Sequence, residues 1–241
     1  MSAALEVRAL TKRYADTVAL DAVSLTIDAG KSTGLIGING AGKSTLFRCL
    51  LDLQGLDAGS IRIFGQDHRQ PAARATLAWL PERFVPPGAA TGREILIHLC
   101  DLHDVDYRED EALAECRALD LAPAALKARA RTYSKGMTQK LGLIACLLVH
   151  RPLLLLDEPM SGLDPLAHAL FRRRLLGLKE AGTTLFFSTH TLDDAEALCD
   201  ALVWMHGGRV RYAGDVAGLL AAERAGSLSE AFFAALRRPS R

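Results

Sequence analysis

An excess of charge of either sign is missing from this chain: 29 Lys and Arg stand against 28 Asp and Glu over 241 residues. No overall basic field therefore drives it onto nucleic acid, although a local patch is not excluded. Cysteine is sparse. Cys49, Cys100, Cys116, Cys146 and Cys199 are scattered, odd in number and without metal-ligand spacing, so reduced, mostly buried thiols are the expectation. Long apolar runs are also lacking: the most apolar region, Leu141 to Val149, resumes at Leu153 to Leu156 only after His150, Arg151 and Pro152. Neither piece approaches the roughly 20 residues that span a bilayer. The opening Met1 to Arg8 has no basic block followed by an apolar one, so a cytoplasmic chain is expected, with any membrane role reached through a partner. There is no internal repeat and no low-complexity linker, and the length suits one core or one core with a smaller lobe.

Against these absences stands one dense motif, Gly37-Ile38-Asn39-Gly40-Ala41-Gly42-Lys43-Ser44-Thr45. It fits the phosphate-binding loop, in which glycine-freed backbone N–H groups wrap the phosphates of a nucleotide. Lys43 would neutralise the outer phosphates and Ser44 would offer a hydroxyl to Mg2+. Its context is right. Ser32 to Ile38 is a short apolar stretch of strand size, and Leu46 to Leu51 opens a helix whose N-terminal dipole attracts anions. A decoy at Gly30-Lys31-Ser32-Thr33 repeats only the ending, because Leu25 occupies the required first glycine position; Lys31 is read as strand-edge surface.

The flanking pattern organises the rest. Leu5 to Leu10 and Ala19 to Ile27 read as strands, and Gly55, Asp57, Gly59 and Ser60 as a turn before the strand Ile61 to Phe64. From Pro86 to Gly142 the character is helical, with a Thr91/Glu94 capping box and helical apolar spacing over Tyr107 to Leu119. Strands return at Leu153 to Leu156 and Thr184 to Ser188, separated by a helix over Pro165 to Glu180; continuous apolar runs alternating with helices argue for buried parallel strands. Ala201 to His206 and Arg209 to Ala213, joined by Gly207-Gly208, form a closing hairpin, and Ser227 to Arg238 a short helix capped by Glu230. The expected division is a single domain over 1–241, with 1–85 and 143–214 as the nucleotide-binding core, 86–142 as a helical subdomain and 215–241 as a short helical tail.

A phosphate loop alone leaves kinases, GTPases, helicases and transport motors open. The four leucines at 153–156 end in Asp157-Glu158, two carboxylates at the tip of a buried strand, where ligands sit in open parallel sheets. Asp157 is placed to hold Mg2+ directly or through water, and Glu158 to orient and polarise an attacking water. With these residues in view, the whole chain resembles the ATP-binding subunits of ABC transporters. Tyr133-Ser134-Lys135-Gly136-Met137 lies where that family has its signature. Ser161-Gly162-Leu163-Asp164 looks like the loop after the acidic strand, His190 after Phe187-Ser188-Thr189 like the switch histidine, and Tyr14 like the aromatic that stacks on adenine. On the residues alone, Tyr14 reads first as half-buried packing and His190 as a turn histidine, and only their place in the pattern reverses that, while Thr191 and Asp194 could cap the next helix.

The resemblance implies an α/β fold, a RecA-like P-loop NTPase core with an N-terminal antiparallel β subdomain and an inserted helical subdomain. It implies ATP and Mg2+ as ligands, with Glu158 and His190 catalytic. Tyr14, the residues 37–45, Ser134 and Gly136 would hold the nucleotide, and Ser44, Glu82 and Asp157 the metal. It further implies a head-to-tail homodimer or heterodimer of ATPase subunits, in which Ser134 and Gly136 serve the partner's nucleotide, seated on the inner face of the cell membrane beneath separate membrane subunits. Phe84, Val85, Pro86 and Pro87, past Glu82, would seat a coupling helix. Four positions, in three motifs, depart from the pattern. Lys135 and Met137 replace a glycine and a glutamine of the signature, Glu82 stands for a Mg2+-contacting glutamine, and Met160 stands where Thr is common. Lys135 would add a charge near the terminal phosphate or point into solvent. The Leu80-Pro81-Glu82 loop and this signature resemble the exporter-type branch. An ATPase of the same class acting away from membranes is the alternative.

Overall fold

The computed structural model describes residues 2–236. In chain order the elements are β1 (Ala3–Tyr14), β2 (Thr17–Asp28), β3 (Ser32–Ile36), α1 (Lys43–Leu50), β4 (Ala58–Ile63), β5 (Gln66–Asp67), α2 (Pro71–Arg74) and β6 (Leu77–Leu80). Then come α3 (Gly92–Leu102), α4 (Glu109–Ala118), α5 (Lys135–Leu148), β7 (Leu153–Leu156), α6 (Pro165–Glu180), β8 (Thr184–Thr189), α7 (Leu192–Leu198), β9 (Ala201–His206), β10 (Arg209–Gly214), α8 (Val216–Glu223) and α9 (Leu228–Leu236). Two sheets result, a four-stranded one ordered β2-β1-β4-β5 and a six-stranded one ordered β10-β9-β3-β8-β7-β6. The first is antiparallel throughout. In the second, β9, β3, β8, β7 and β6 run parallel and β10 closes the edge antiparallel to β9.

The parallel strands are short and largely buried because both faces of the sheet are covered, and β7 is apolar throughout. Successive side chains of a strand point to opposite faces, and β7 uses this directly. Leu153 and Leu155 enter one core with Phe47, Leu46 and Phe186, whereas Leu154 and Leu156 enter another with Leu141, Ile144 and Phe171. Each fully buried leucine is worth about 1.5–3 kcal/mol, so a charge at any of the four would unseat the strand that carries Asp157 and Glu158. Phe47 of α1 locks onto Phe186 of β8 with ring centroids 5.2 Å apart, which fixes the helix behind the phosphate loop against the central sheet.

Several local expectations shift. The turn expected at Gly59 and Ser60 is already β4: Ser60 pairs with Arg8 and Ala58 with Thr11. Gly59 is a bulge, not a turn, with φ +93° and no room for a Cβ, which would lie 2.5 Å from the Ala9 carbonyl oxygen. The strand β6, four residues long, gives too short a periodic signal to be read from sequence, and it exists because β7 pairs with it residue for residue. Helix α5 crosses residue 142 without a break. The Thr91/Glu94 box forms, the Thr91 N–H donating to Glu94 Oε2 at 2.7 Å and the Glu94 N–H to Thr91 Oγ1 at 3.3 Å. Residues 237 and 238 of the expected tail helix lie outside the described residues; within them Ser227 Oγ accepts from the Glu230 N–H at 3.2 Å. Among the described residues no helix is long and apolar enough to cross a membrane.

Candidate functional site

The chain leaves β3 at Ile36 and re-enters helix at Lys43, so residues 37–42 form a loop at the C-terminal edge of the parallel sheet. Gly42 takes the N-cap position of α1 with φ +105°, a backbone that L side chains rarely adopt, and no side chain caps the helix. The first-turn N–H groups of α1 are thereby left for an anion. A Cβ at Gly42 would lie 2.7 Å from the Ala19 carbonyl oxygen, and one at Gly37 2.5 Å from that of Met205. These two glycines are dictated by close backbone approach. Ile38, Asn39 and Gly40 form the exposed crown of the loop, while Lys43 is buried.

Lys43 Nζ donates to the Gly37 carbonyl oxygen at 2.7 Å and lies 3.5 Å from Glu158 Oε1. The other oxygen of Glu158, Oε2, is 2.7 Å from His190 Nδ1 and accepts the His190 backbone N–H at 3.3 Å. The two tips of β7 and β8 are stitched by Ser188, whose hydroxyl donates to Asp157 Oδ1 at 2.5 Å and accepts the Glu158 N–H at 2.8 Å. Asp157 also donates its N–H to Leu80 O at 2.8 Å, anchoring the end of β6 and hence Glu82. Glu158 itself sits at φ +47°, a left-handed conformation that costs a non-glycine residue about 1–2 kcal/mol. That strain is held by the Ser188 hydroxyl and by the Ser161 N–H donating to Glu158 O at 3.0 Å, and it turns the Glu158 carboxylate toward the phosphate loop.

These groups wall a cleft of about 700 Å³. Residues 38–45 form its floor, Glu82, Glu158, Ser161 and His190 one side, and Thr17, Val18, Ala19 and the Gly207-Gly208 turn the other. Of the expected residues, Gly37 lies buried beneath the floor, giving its carbonyl to Lys43, and Asp157 lies behind it, 6% exposed and not part of the wall. Tyr14 ends β1, 40% exposed, with Lys12 Nζ 5.6 Å from its ring centroid, and it too stays off the wall. Ser134 and Gly136 start α5 and are absent from the cleft of their own chain. Ser134 caps that helix, its Oγ accepting the Met137 N–H at 3.2 Å. Gly136 has room for a Cβ, the nearest atom being Leu163 Cδ2 at 3.9 Å, so nothing among the described residues requires glycine there.

The departures from the family pattern have local explanations. Lys135 is exposed yet lies along the 161–164 loop, where a Cβ on Gly162 would come 2.5 Å from its Nζ. Met160 is buried among the apolar residues packed on α5, and Gln139 donates to the Pro159 carbonyl at 3.3 Å. Asp164 N-caps α6, accepting the Ala167 N–H at 2.9 Å, and that hydrogen bond holds its carboxyl below the usual range. Thr191 begins α7 without a side-chain cap bond, and Asp194 turns instead to His168. Glu82 also borders a second groove, about 570 Å³, lined by Phe84, Val85, Pro86, Arg131 and Tyr133. Phe84 is its anchor, packed where a Cβ on Gly142 would sit, and Val85 projects outward, 71% exposed; Pro87 does not line it. Ser188 was not legible as a site residue, since one serine at a strand end carries no spacing signal.

A glycine loop opening a helix beside a strand tip with two carboxylates, on a parallel sheet, defines a nucleotide-binding P-loop protein. The comparisons narrow this: residues 20–161 match the family model for ABC transporters, and the chain belongs to that family. It is 35% identical over 204 residues to an uncharacterised ABC transporter ATP-binding protein of Synechocystis sp., covering 83% of this chain and 58% of that protein. It is 38% identical to Nod factor export ATP-binding protein I of Sinorhizobium fredii, covering 86% and 61%. Thus the chain spans about three fifths of the length of these relatives. A solved ATP-binding subunit of an ABC transporter superposes with a TM-score of 0.90 at 31% identity, covering 97% of this chain and 99% of that one. The α/β fold, with its antiparallel β sheet and its helical part, is that of the ABC ATPase cassette.

Proposed function

We propose that the chain binds ATP with Mg2+ and hydrolyses it as the motor subunit of a membrane export complex. The observation that carries this is the contiguous set Lys43, Glu158 and His190 on the cleft floor and side. Nucleotide phosphates take the free N–H groups of α1 and the ammonium of Lys43, which must leave Glu158 to reach them. Freed from Lys43, the Glu158 carboxylate can accept the proton of a water attacking the terminal phosphate, while His190 keeps its other oxygen oriented. Mg2+ fits the hard oxygen donors here: the Ser44 hydroxyl and Glu82 carboxylate border the cleft, and Asp157, buried behind, suits contact through water. When bound it would neutralise charge on the phosphate oxygens.

The open position of Gly136 favours a site finished by a second copy of the chain, in the two-fold pairing commonest among oligomers, with Ser134 and Gly136 approaching the bound nucleotide. Tyr14 would stack on the base. The export direction rests on the relative named for Nod factor export, and the groove at Phe84 and Val85 would take the membrane subunits' coupling segment, keeping this chain on the inner face of the membrane. Two measurements test the reading: ATP hydrolysis by wild type and Lys43→Ala, and capture of tagged chain from solubilised membranes. Turnover lost in the variant and a multi-spanning protein retained support it. Absence of turnover in the wild type, or capture of ribosomes alone, would overturn it.

A further inference from the structure

Beside the cleft lies a separate pocket of about 120 Å³, walled by Glu158, Ser161, Thr189 and His190 on one side and by His168 and Asp194 on the other. His168 Nε2 is 2.9 Å from Asp194 Oδ2. Asp194 is 2% exposed, and its second oxygen, Oδ1, is buried with no hydrogen-bond partner. A buried carboxylate without a partner is costly, and here the His168 ring is what keeps this one in place.

The two residues join segments that enter the site from different directions. His168 lies in the first turns of α6, a helix fixed at its start by the Asp164 cap and by the fully buried Phe171. Asp194 lies in the first turn of α7, directly after His190. Thr191 gives that turn no side-chain cap; the apolar side of α7 is seated by the fully buried Ala195 and Leu198, and its side-chain polar tie to α6 is Asp194. We propose that His168 and Asp194 are a positioning pair that holds the start of α7, and with it His190, against Glu158. Neither residue touches the reacting atoms; the pair acts through the 2.7 Å contact between His190 and Glu158. The inference rests on the proposed reading of Glu158 and His190 as the hydrolytic pair.

The test is ATPase kinetics on the full chain for His168→Ala, His168→Gln, His168→Arg, His190→Ala and the double variant His168→Ala/His190→Ala, with Glu158→Gln as reference. His168→Ala should lower kcat about tenfold and leave KM for ATP within about twofold, since the phosphate loop is untouched. His168→Arg, which can still pair with Asp194, should regain at least half of wild-type kcat. The double variant should be no slower than His190→Ala, because both act on one contact. Wild-type kcat in His168→Ala overturns the proposal, as do losses that multiply in the double variant or a raised KM with kcat unchanged. The glutamine variant supplies the same comparison where the alanine variant is insoluble. Full turnover in Glu158→Gln would instead overturn the underlying reading of the site.

Discussion

Replacing Glu158 by glutamine should strengthen ATP binding while nearly abolishing turnover. In the structure Glu158 Oε1 holds Lys43 Nζ at 3.5 Å, with side-chain exposures of 11% and 8%. At an effective dielectric of about 20 the gross attraction is about 5 kcal/mol. Desolvation and the competing Gly37 carbonyl offset most of it, leaving about 1 kcal/mol net. Nucleotide must overcome that term to draw Lys43 onto its phosphates. Glutamine is isosteric and neutral, can still accept from His190, and releases Lys43. The dissociation constant for ATP should therefore fall about fivefold, whereas loss of the proton acceptor should slow hydrolysis about 10²- to 10⁴-fold. Titration with a fluorescent ATP analogue and a phosphate-release assay on the same preparation read both numbers. Weaker ATP binding in Glu158→Gln, or turnover within about threefold of wild type, would refute the reasoning.

Other outcomes follow from the same geometry. Gly42→Ala forces a side chain into a left-handed backbone with its Cβ 2.7 Å from the Ala19 carbonyl oxygen, at a cost of about 1–3 kcal/mol. Thermal unfolding should move down and ATP affinity fall at least about tenfold; wild-type affinity would contradict this. Burial pushes the Cys49 and Cys116 thiols up to about 11 and Cys146 to about 12, from an ordinary value of 9.0. Unfolded chains then lose protons that folded ones keep, so stability is intact below about pH 9 and declines as pH rises toward 11–12. Denaturant unfolding at pH 8 and pH 10.5 should show the decline, reduced in Cys146→Ala. In the second groove Val85→Asp places a charge on a 71% exposed apolar side chain, so hydrolysis by the free chain should persist while capture of a membrane partner is lost.

The parts of the site that could be read from sequence are those in which one residue type is forced by backbone or charge. Gly37 and Gly42 tolerate no Cβ, Lys43 stands at the fixed place of the loop's lysine, and Asp157-Glu158 terminates a run of four leucines whose unbroken apolarity marks a strand covered on both faces. What escaped were features made by pairing across the chain. Strand β6 depends on β7, Ser188 links Asp157 to Glu158 only because β7 and β8 are neighbours, and Asp194 looks like a helix cap until His168 is brought to it from 26 residues away. The glycine at 59 reads as a turn for the same reason, since the bulge it makes belongs to Ala9 on the facing strand. Lys135, read as pointing into solvent or adding charge near the phosphate, is exposed and lies along the loop at Gly162.

The central claim is that one chain holds half a working site and that a second copy completes it. Lys43→Ala disables the phosphate loop and leaves Ser134 and Gly136 intact, whereas Gly136→Asp, at a position with space for a side chain in its own chain, does the reverse. Each variant alone should hydrolyse ATP at no more than a few per cent of the wild-type rate. Mixed in equal amounts they should form heterodimers with one intact composite site, and turnover should rise well above the sum of the two. A mixture no more active than that sum would contradict the claim.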